Sequence, residues 1–313
     1  VFSSSVFANK IGVVYDSGGK FDKSFNELAF KTAERVKNEL GWEMVEFESS
    51  NDAQIEQGMR KIADRGATMI VGMGFAQADA VAAVSADYPD IKFVAVDVCW
   101  LDDPNNNIYQ ACYKEHEGSF LVGMMAAMAS KTGTIGFVGG MDIPLIRKFQ
   151  GGYEQGAQYV NPDIEVLANM TGTTNEAWNN PTKGAELTKT QIDGGADVVY
   201  QAAGGTGIGV LQAAADAGIM GIGVDANQNW MHPGNMLTSM LKRLDLTIFA
   251  QAEAIAAGTF EPSGQFLSLG LAEGGVGYAT EDGMVTDEMA AAADAAAADI
   301  ASGAIVVADW SQE

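Results

Sequence analysis

Short apolar runs alternate with longer stretches of helical spacing along almost the whole chain. The first run, Ile11-Gly12-Val13-Val14-Tyr15, is rich in β-branched residues and is followed by Asp16 and two glycines, which predicts a buried parallel strand. Ser24 and Glu27 form a capping box that opens a helix over 25–40, with Leu28, Ala29, Ala33 and Val36 near helical spacing. The rhythm continues with strands at 43–47, 68–71, 92–98 and 107–111, separated by helices at 52–65 and 76–85. A long apolar helix over 118–130 opens a second half, with strands at 134–138, 164–168, 197–200 and 221–224. Its helices fall at 143–160, 181–193 and from Gly204-Gly205 to 217. The final third holds a strand at 236–242, a helix at 244–257, short strands near 265–269 and 275–279, and an alanine-rich helix over 287–301.

Strands that alternate with helices in this way predict an α/β protein with parallel sheets covered on both faces. The 313 residues suffice for two such doubly wound halves, each with its own core. A net charge of -23 argues against nucleic acid or an anionic membrane surface as partner, since both require clustered Lys and Arg. No apolar run approaches the roughly 18 residues of a membrane span. Residues 1–8 lack charge, and Val6-Phe7-Ala8 resembles the small-residue site that closes a secretory signal peptide, so they read as a leader remnant. The two cysteines, Cys99 and Cys112, close consecutive apolar runs and fit either a disulfide of an exported protein or two buried thiols. With only His116 and His232, and no ligand spacing to the cysteines, a zinc site is not expected.

The candidate chemistry lies where strands end and helices begin, the edge at which open α/β sheets bind ligands. Asp16, Phe25 and Asn26 meet at the first such edge, offering an acid, an aromatic face and an amide, although an ordinary strand-to-helix turn fits the same residues. Further loops are Gly72-Met73-Gly74-Phe75, Gly139-Gly140-Met141-Asp142-Ile143-Pro144, the glycine run at 204–209 and Asp225-Ala226-Asn227-Gln228. The run at 204–209 fails the dinucleotide spacing and has no Walker lysine. Trp178, in a polar loop, requires a surface groove or a ligand's face. Asp225 serves either paired ligand hydroxyls or a helix cap, and Lys242 either a surface acid or a ligand acceptor. No nucleophile elbow, Cys-His pair or HExxH motif is present, so no catalytic residues are expected. His116, inside the charged run Tyr113-Lys114-Glu115-His116-Glu117, is expected at the surface.

Asp16 to Asn26 resembles the D-x-G-x-x-x-D-x-S-F-N signature of the basic membrane protein, or PnrA-like, solute-binding proteins of ABC transporters. The resemblance continues through Gly72 to Phe75, Gly139 to Pro144 with Phe149 and Gly152, and Trp178 to Gly184. It runs on through Ala203 to Gly207, Gly223 to Asp225 and Thr238 to Lys242, in the family's order over nearly the whole length. It implies a type I periplasmic-binding-protein fold: two Rossmann-like doubly wound lobes joined by a three-segment hinge near Tyr113, Arg243 and Ala272. The N-terminal lobe would comprise 9–113 plus 244–272, and the C-terminal lobe 114–243 plus 273–313. The implied function is an extracytoplasmic receptor that captures a purine nucleoside (guanosine, adenosine or inosine) between its lobes and delivers it to an ABC permease. Phe25 and Trp178 would sandwich the base, and Asp16 and Asn26 would read its edge. Asp225 would accept the ribose hydroxyls, Lys242 and the Gly204 amide would hold the sugar, and Gly74, Phe75 and Met141 would line the cleft. The implied protein is a periplasmic monomer without cofactor, metal or catalytic group, and with no lipobox cysteine visible. The same fold also accommodates a free nucleobase, riboflavin or a sugar, a nucleoside-acting enzyme, or a receptor that signals to a membrane sensor.

Overall fold

The computed structural model describes residues 8–49 and 51–312; apart from Ala8, the expected leader remnant lies outside them. The chain divides into two compact units. The first takes the chain up to Lys20, Asn26–Cys112 and Leu244–Ser268; the second takes Phe21–Phe25, Tyr113–Arg243 and the chain from Leu269 on.

The first unit's elements are β1 (Lys10–Tyr15), α1 (Phe25–Leu40), β2 (Glu43–Glu48), α2 (Ile55–Asp64), β3 (Met69–Met73), α3 (Ala78–Asp87), β4 (Lys92–Val96) and β5 (Ile108–Tyr113). The second contributes α4 (Glu115–Ala129), β6 (Thr134–Met141), α5 (Pro144–Val160), β7 (Glu165–Gly172), α6 (Pro181–Asp193), β8 (Val198–Ala202), α7 (Gly207–Asp216), β9 (Met220–Asp225) and β10 (Met236–Lys242). The chain then adds α8 (Leu244–Ala257) to the first unit, followed by β11 (Ser268–Leu269), β12 (Val276–Tyr278) and α9 (Asp287–Ser302). Two six-stranded sheets result, ordered β11-β5-β4-β3-β1-β2 and β12-β10-β9-β8-β6-β7. Strands β2-β1-β3-β4-β5 pair in parallel, as do β7-β6-β8-β9-β10, whereas β12 runs antiparallel to β10.

The central strands are apolar without alternation because helices cover both sheet faces. All of β3 and β8 is buried, whereas the edge strand β2 is only partly covered. In the first unit Val14, Met59, Ile70, Val84 and Phe93 belong to one buried cluster. In the second, the rings of Phe137, Tyr153 and Tyr200 pack tilted or edge to face, with the centroids of Tyr153 and Tyr200 5.1 Å apart. Cys99 and Cys112 form a disulfide, and no free cysteine remains. Their backbones also hold the chain leading into β11: Phe266 donates to the Cys99 carbonyl, and Cys112 donates to that of Leu267.

Two sequence expectations shift. The apolar helix begins at Glu115 rather than Gly118, and the strands near 265–269 and 275–279 shrink to two and three residues. The earlier start carries His116 into the packed interior, where it is buried rather than at the surface. The cause is the crossing of α4 and α5. A β-carbon at Gly152 would lie 2.2 Å from the His116 carbonyl oxygen, one at Gly156 1.9 Å from that of Phe120, and one at Gly123 2.1 Å from that of Tyr153. Backbone lies against backbone here, and only glycine fits.

Gly156→Ala has no flexible neighbour to displace and is expected to cost about 3 kcal/mol, toward the top of the usual overpacking range. Gly277→Ala, whose added carbon meets nothing within 4 Å, is expected to stay within about 0.5 kcal/mol of wild type. Denaturant unfolding of both variants checks the contrast.

Candidate functional site

In the first unit, Asp16 follows the last residue of β1 and is fixed by three hydrogen bonds. Its backbone N–H donates to Asn26 Oδ1 at 3.1 Å, while Asn26 Nδ2 and the Gly18 amide donate to its carboxylate at 2.6 and 2.8 Å. Asn26 has no exposed surface. Burial pushes the Asp16 carboxyl above its ordinary range, the bonds from Asn26 and Gly18 pull it back, and the charge of Asp97 adds to the rise. Asp97, just beyond β4, is itself buried and adopts a φ of 62°, which non-glycine residues rarely occupy. At the end of β3, Gly74 takes a φ of 92°, and its N–H reaches the Val96 carbonyl. Phe75 follows, half-buried, in a short 3₁₀ turn.

In the second unit, Trp178 closes a 3₁₀ turn, Asn175–Trp178, rather than lying in an open loop. Its indole lies on Gly140, where a β-carbon would come within 2.2 Å of the ring, and near Gly204, whose φ is 55°. Thr171 and Thr206 both donate to the Ala177 carbonyl and so fix the turn. Met141, partly exposed, follows Gly140 and ends β6. Asp225 ends β9 with a φ of 65°, and Ser24 donates its hydroxyl to Asp225 Oδ2 at 2.6 Å. Gln228 holds the same segment by donating to the Lys23 carbonyl.

Lys242, the last residue of β10, is buried, as is Glu115. Lys242 Nζ lies 3.0 Å from Glu115 Oε1, and Lys148 Nζ lies 2.8 Å from Oε2. Lys148 also donates to the Tyr113 carbonyl. The Lys242 ammonium stands 5.3, 5.2 and 5.7 Å from the ring centroids of Phe25, Tyr113 and Phe149. Burial alone would push the Glu115 carboxyl up, but the two ammonium charges and their hydrogen bonds overcome it and hold the group at about 2. Burial, and then the charge of Lys148, hold the His116 imidazole below its ordinary value.

The structure thus brings Asp16 to Asn26, Trp178 to Gly204, and Phe25 to Lys242, and puts Asp225 in contact with Ser24. Sequence reasoning missed Glu115, Lys148 and Asp97. The strand expected over 92–98 contained Asp97, and only the end of β4 at Val96 shows that it shares the strand-end position of Asp16 and Asp225; Glu115 and Lys148 sit in helices and carry no such signal. Among the described residues no group of three or more His, Cys, Asp or Glu could hold a metal ion, and no helix is long and apolar enough to cross a membrane.

A family profile described as ABC transporter substrate-binding protein, PnrA-like, matches residues 8–310. The chain is 34% identical over 286 residues to basic membrane protein A2 of Borrelia garinii subsp. bavariensis, an alignment covering 90% of this chain and 82% of that protein. It is 31% identical over 320 residues to a Lactococcus lactis subsp. cremoris protein named ABC transporter nucleoside-binding protein BmpA, covering 95% and 88%. A solute-binding protein of an ABC transporter system from Aeropyrum pernix superposes with a TM-score of 0.85 at 27% identity, covering 96% of this chain and 93% of that one.

A carboxyl whose pKa falls on folding stabilises the fold fully above its unfolded value, and that stabilisation is lost as pH drops through the folded value. For Glu115 the window runs from 4.5 down to about 2, and the loss is on the order of 3 kcal/mol. Glu115→Gln leaves two lysines without their shared anion, so it should start about 3 kcal/mol less stable at neutral pH. It should also show a flatter decline below pH 4.5, measured by denaturant unfolding at a series of pH values.

Proposed function

The chain belongs to the PnrA-like family of ABC transporter substrate-binding proteins, an extracytoplasmic family that delivers small molecules to a membrane permease, and we propose that its ligand is a purine nucleoside. The observation that carries this reading is the Asp16–Asn26 pair. A carboxylate held on one oxygen by a buried amide is a fixed acceptor, suited to the adjacent N–H groups of a purine edge. Burial raises the energy of the ionised Asp16, so ligand N–H donors that replace lost water gain a charge-assisted bond. Guanine and hypoxanthine, which present N1–H, match that acceptor better than adenine.

The remaining residues take the other parts of the ligand. Phe25 and Trp178 offer aromatic faces to the base, each worth about 1–3 kcal/mol by analogy with base stacking on proteins. Asp225 accepts from the ribose hydroxyls while Ser24 steadies its second oxygen. Lys242 and the Gly204 amide donate to the sugar, and Gly74, Phe75 and Met141 line the remaining surface. The relative named as nucleoside-binding, similar over 95% of this chain, supports the same class of ligand. A substrate-binding protein hands its ligand on unchanged, so on this reading the nucleoside leaves as it arrived. Contacts that favour the ligand-bound state bias the receptor by their differential affinity alone, giving the permease a loaded form to distinguish from the empty one.

Trp178→Ala and Asp225→Ala should each weaken guanosine binding by about 2 kcal/mol, near thirty-fold, in calorimetric titrations. Chromatography of the recovered ligand should return intact nucleoside. Unchanged affinity in both variants would overturn the assigned site, and release of free base would show an enzyme.

A further inference from the structure

A lysine side chain is a point charge on a flexible four-carbon stem and does not by itself direct its ammonium. Lys242 is nevertheless confined. Three aromatic rings surround its ammonium, and one oxygen of the buried Glu115 lies 3.0 Å from it. The other Glu115 oxygen is taken by Lys148 at 2.8 Å, and Lys148 is tied in turn to the Tyr113 carbonyl. Three separate elements meet in this arrangement: Glu115 opens α4, Lys148 lies in the second turn of α5, and Lys242 ends β10.

Neutralising a buried carboxylate requires one cation, and this carboxylate touches two. A lone ammonium beside Glu115 could draw both oxygens and collapse into a closed pair. With the oxygens divided, Glu115 offers Lys242 a single anchor and so one direction. The charge of Lys148 also weakens the pull of the carboxylate on Lys242, which remains a cationic donor held in one direction.

We propose that Glu115 and Lys148 are positioning residues that aim the Lys242 ammonium at the ligand. The ligand's identity rests on the nucleoside reading above; the aiming does not. The α4–α5 crossing at Gly152 and Gly156 belongs to the same device, because it brings the helix carrying Lys148 against the one carrying Glu115.

The test uses full-length protein labelled with ¹⁵N at lysine only, with the Lys242 Nζ resonance identified by its loss in Lys242→Met. Lys148→Gln removes the charge but keeps a donor for the Tyr113 carbonyl, and Lys148→Arg restores the charge. The Nζ resonance and the affinity for guanosine are measured in each. Lys148→Gln is expected to move the Lys242 resonance and weaken guanosine about ten-fold, the scale of one charged hydrogen bond, and Lys148→Arg to recover most of both. Glu115→Asp, which withdraws the carboxylate without removing its charge, should produce the same displacement if Lys148→Gln fails to fold. A resonance that stays in place in these variants overturns the proposal, whatever the affinity does. A resonance that moves in a protein with no affinity for guanosine upholds the aiming and overturns the nucleoside reading.

Discussion

A carboxylate without exposed surface, gripped by two lysines, is the constraint from which much of the second unit follows. Glu115 is tolerable there only because Lys148 and Lys242 arrive from two other elements at hydrogen-bonding distance. Removing one partner of a buried ion pair strands a charge, which costs far more than the pair contributes to stability. The requirement reaches into the backbone. The glycines at 123, 152 and 156 let α4 and α5 meet carbonyl against Cα, and that closeness holds the lysine-bearing helix beside the carboxylate. The cluster thus ties α4, α5 and β10 together through one carboxylate.

A second theme is the acid placed where a parallel strand ends. Asp16, Asp97 and Asp225 occupy that position after β1, after β4 and at the end of β9, and the last two hold a left-handed backbone. Such conformations cost of order 1 kcal/mol or more and persist where the surroundings over-determine them. Asp16 is held by Asn26 and Gly18, and Asp225 by Ser24, so the direction of each carboxylate is set within the protein. Preorganisation of this kind reduces the ordering that binding would otherwise have to enforce.

Much of this was legible in the amino-acid order. Apolar runs without alternation announced strands buried on both faces, and glycines with Asp16, Asp225 and Trp178 marked the edges where loops gather. Partnerships between distant residues were not legible. Lys114-Glu115-His116-Glu117 has the composition of a solvated turn, and nothing local tells that Lys148, thirty-odd residues later, will neutralise its centre. The sequence left the two cysteines open between a disulfide and two buried thiols; the structure joins Cys99 to Cys112. Asp97 was not legible because the apolar run reads as a strand through 98, whereas β4 stops at Val96 and leaves Asp97 just beyond it.

The central claim is that a directed carboxylate at Asp225 and a directed ammonium at Lys242 recognise the sugar of a neutral purine nucleoside. Paired calorimetric titrations with guanosine and 2′-deoxyguanosine test it most directly, because they differ by one hydroxyl. The account predicts that 2′-deoxyguanosine binds at least ten-fold more weakly, the cost of an unmade hydrogen bond to a buried charged group. Equal affinity for the two, or binding to neither, would contradict it.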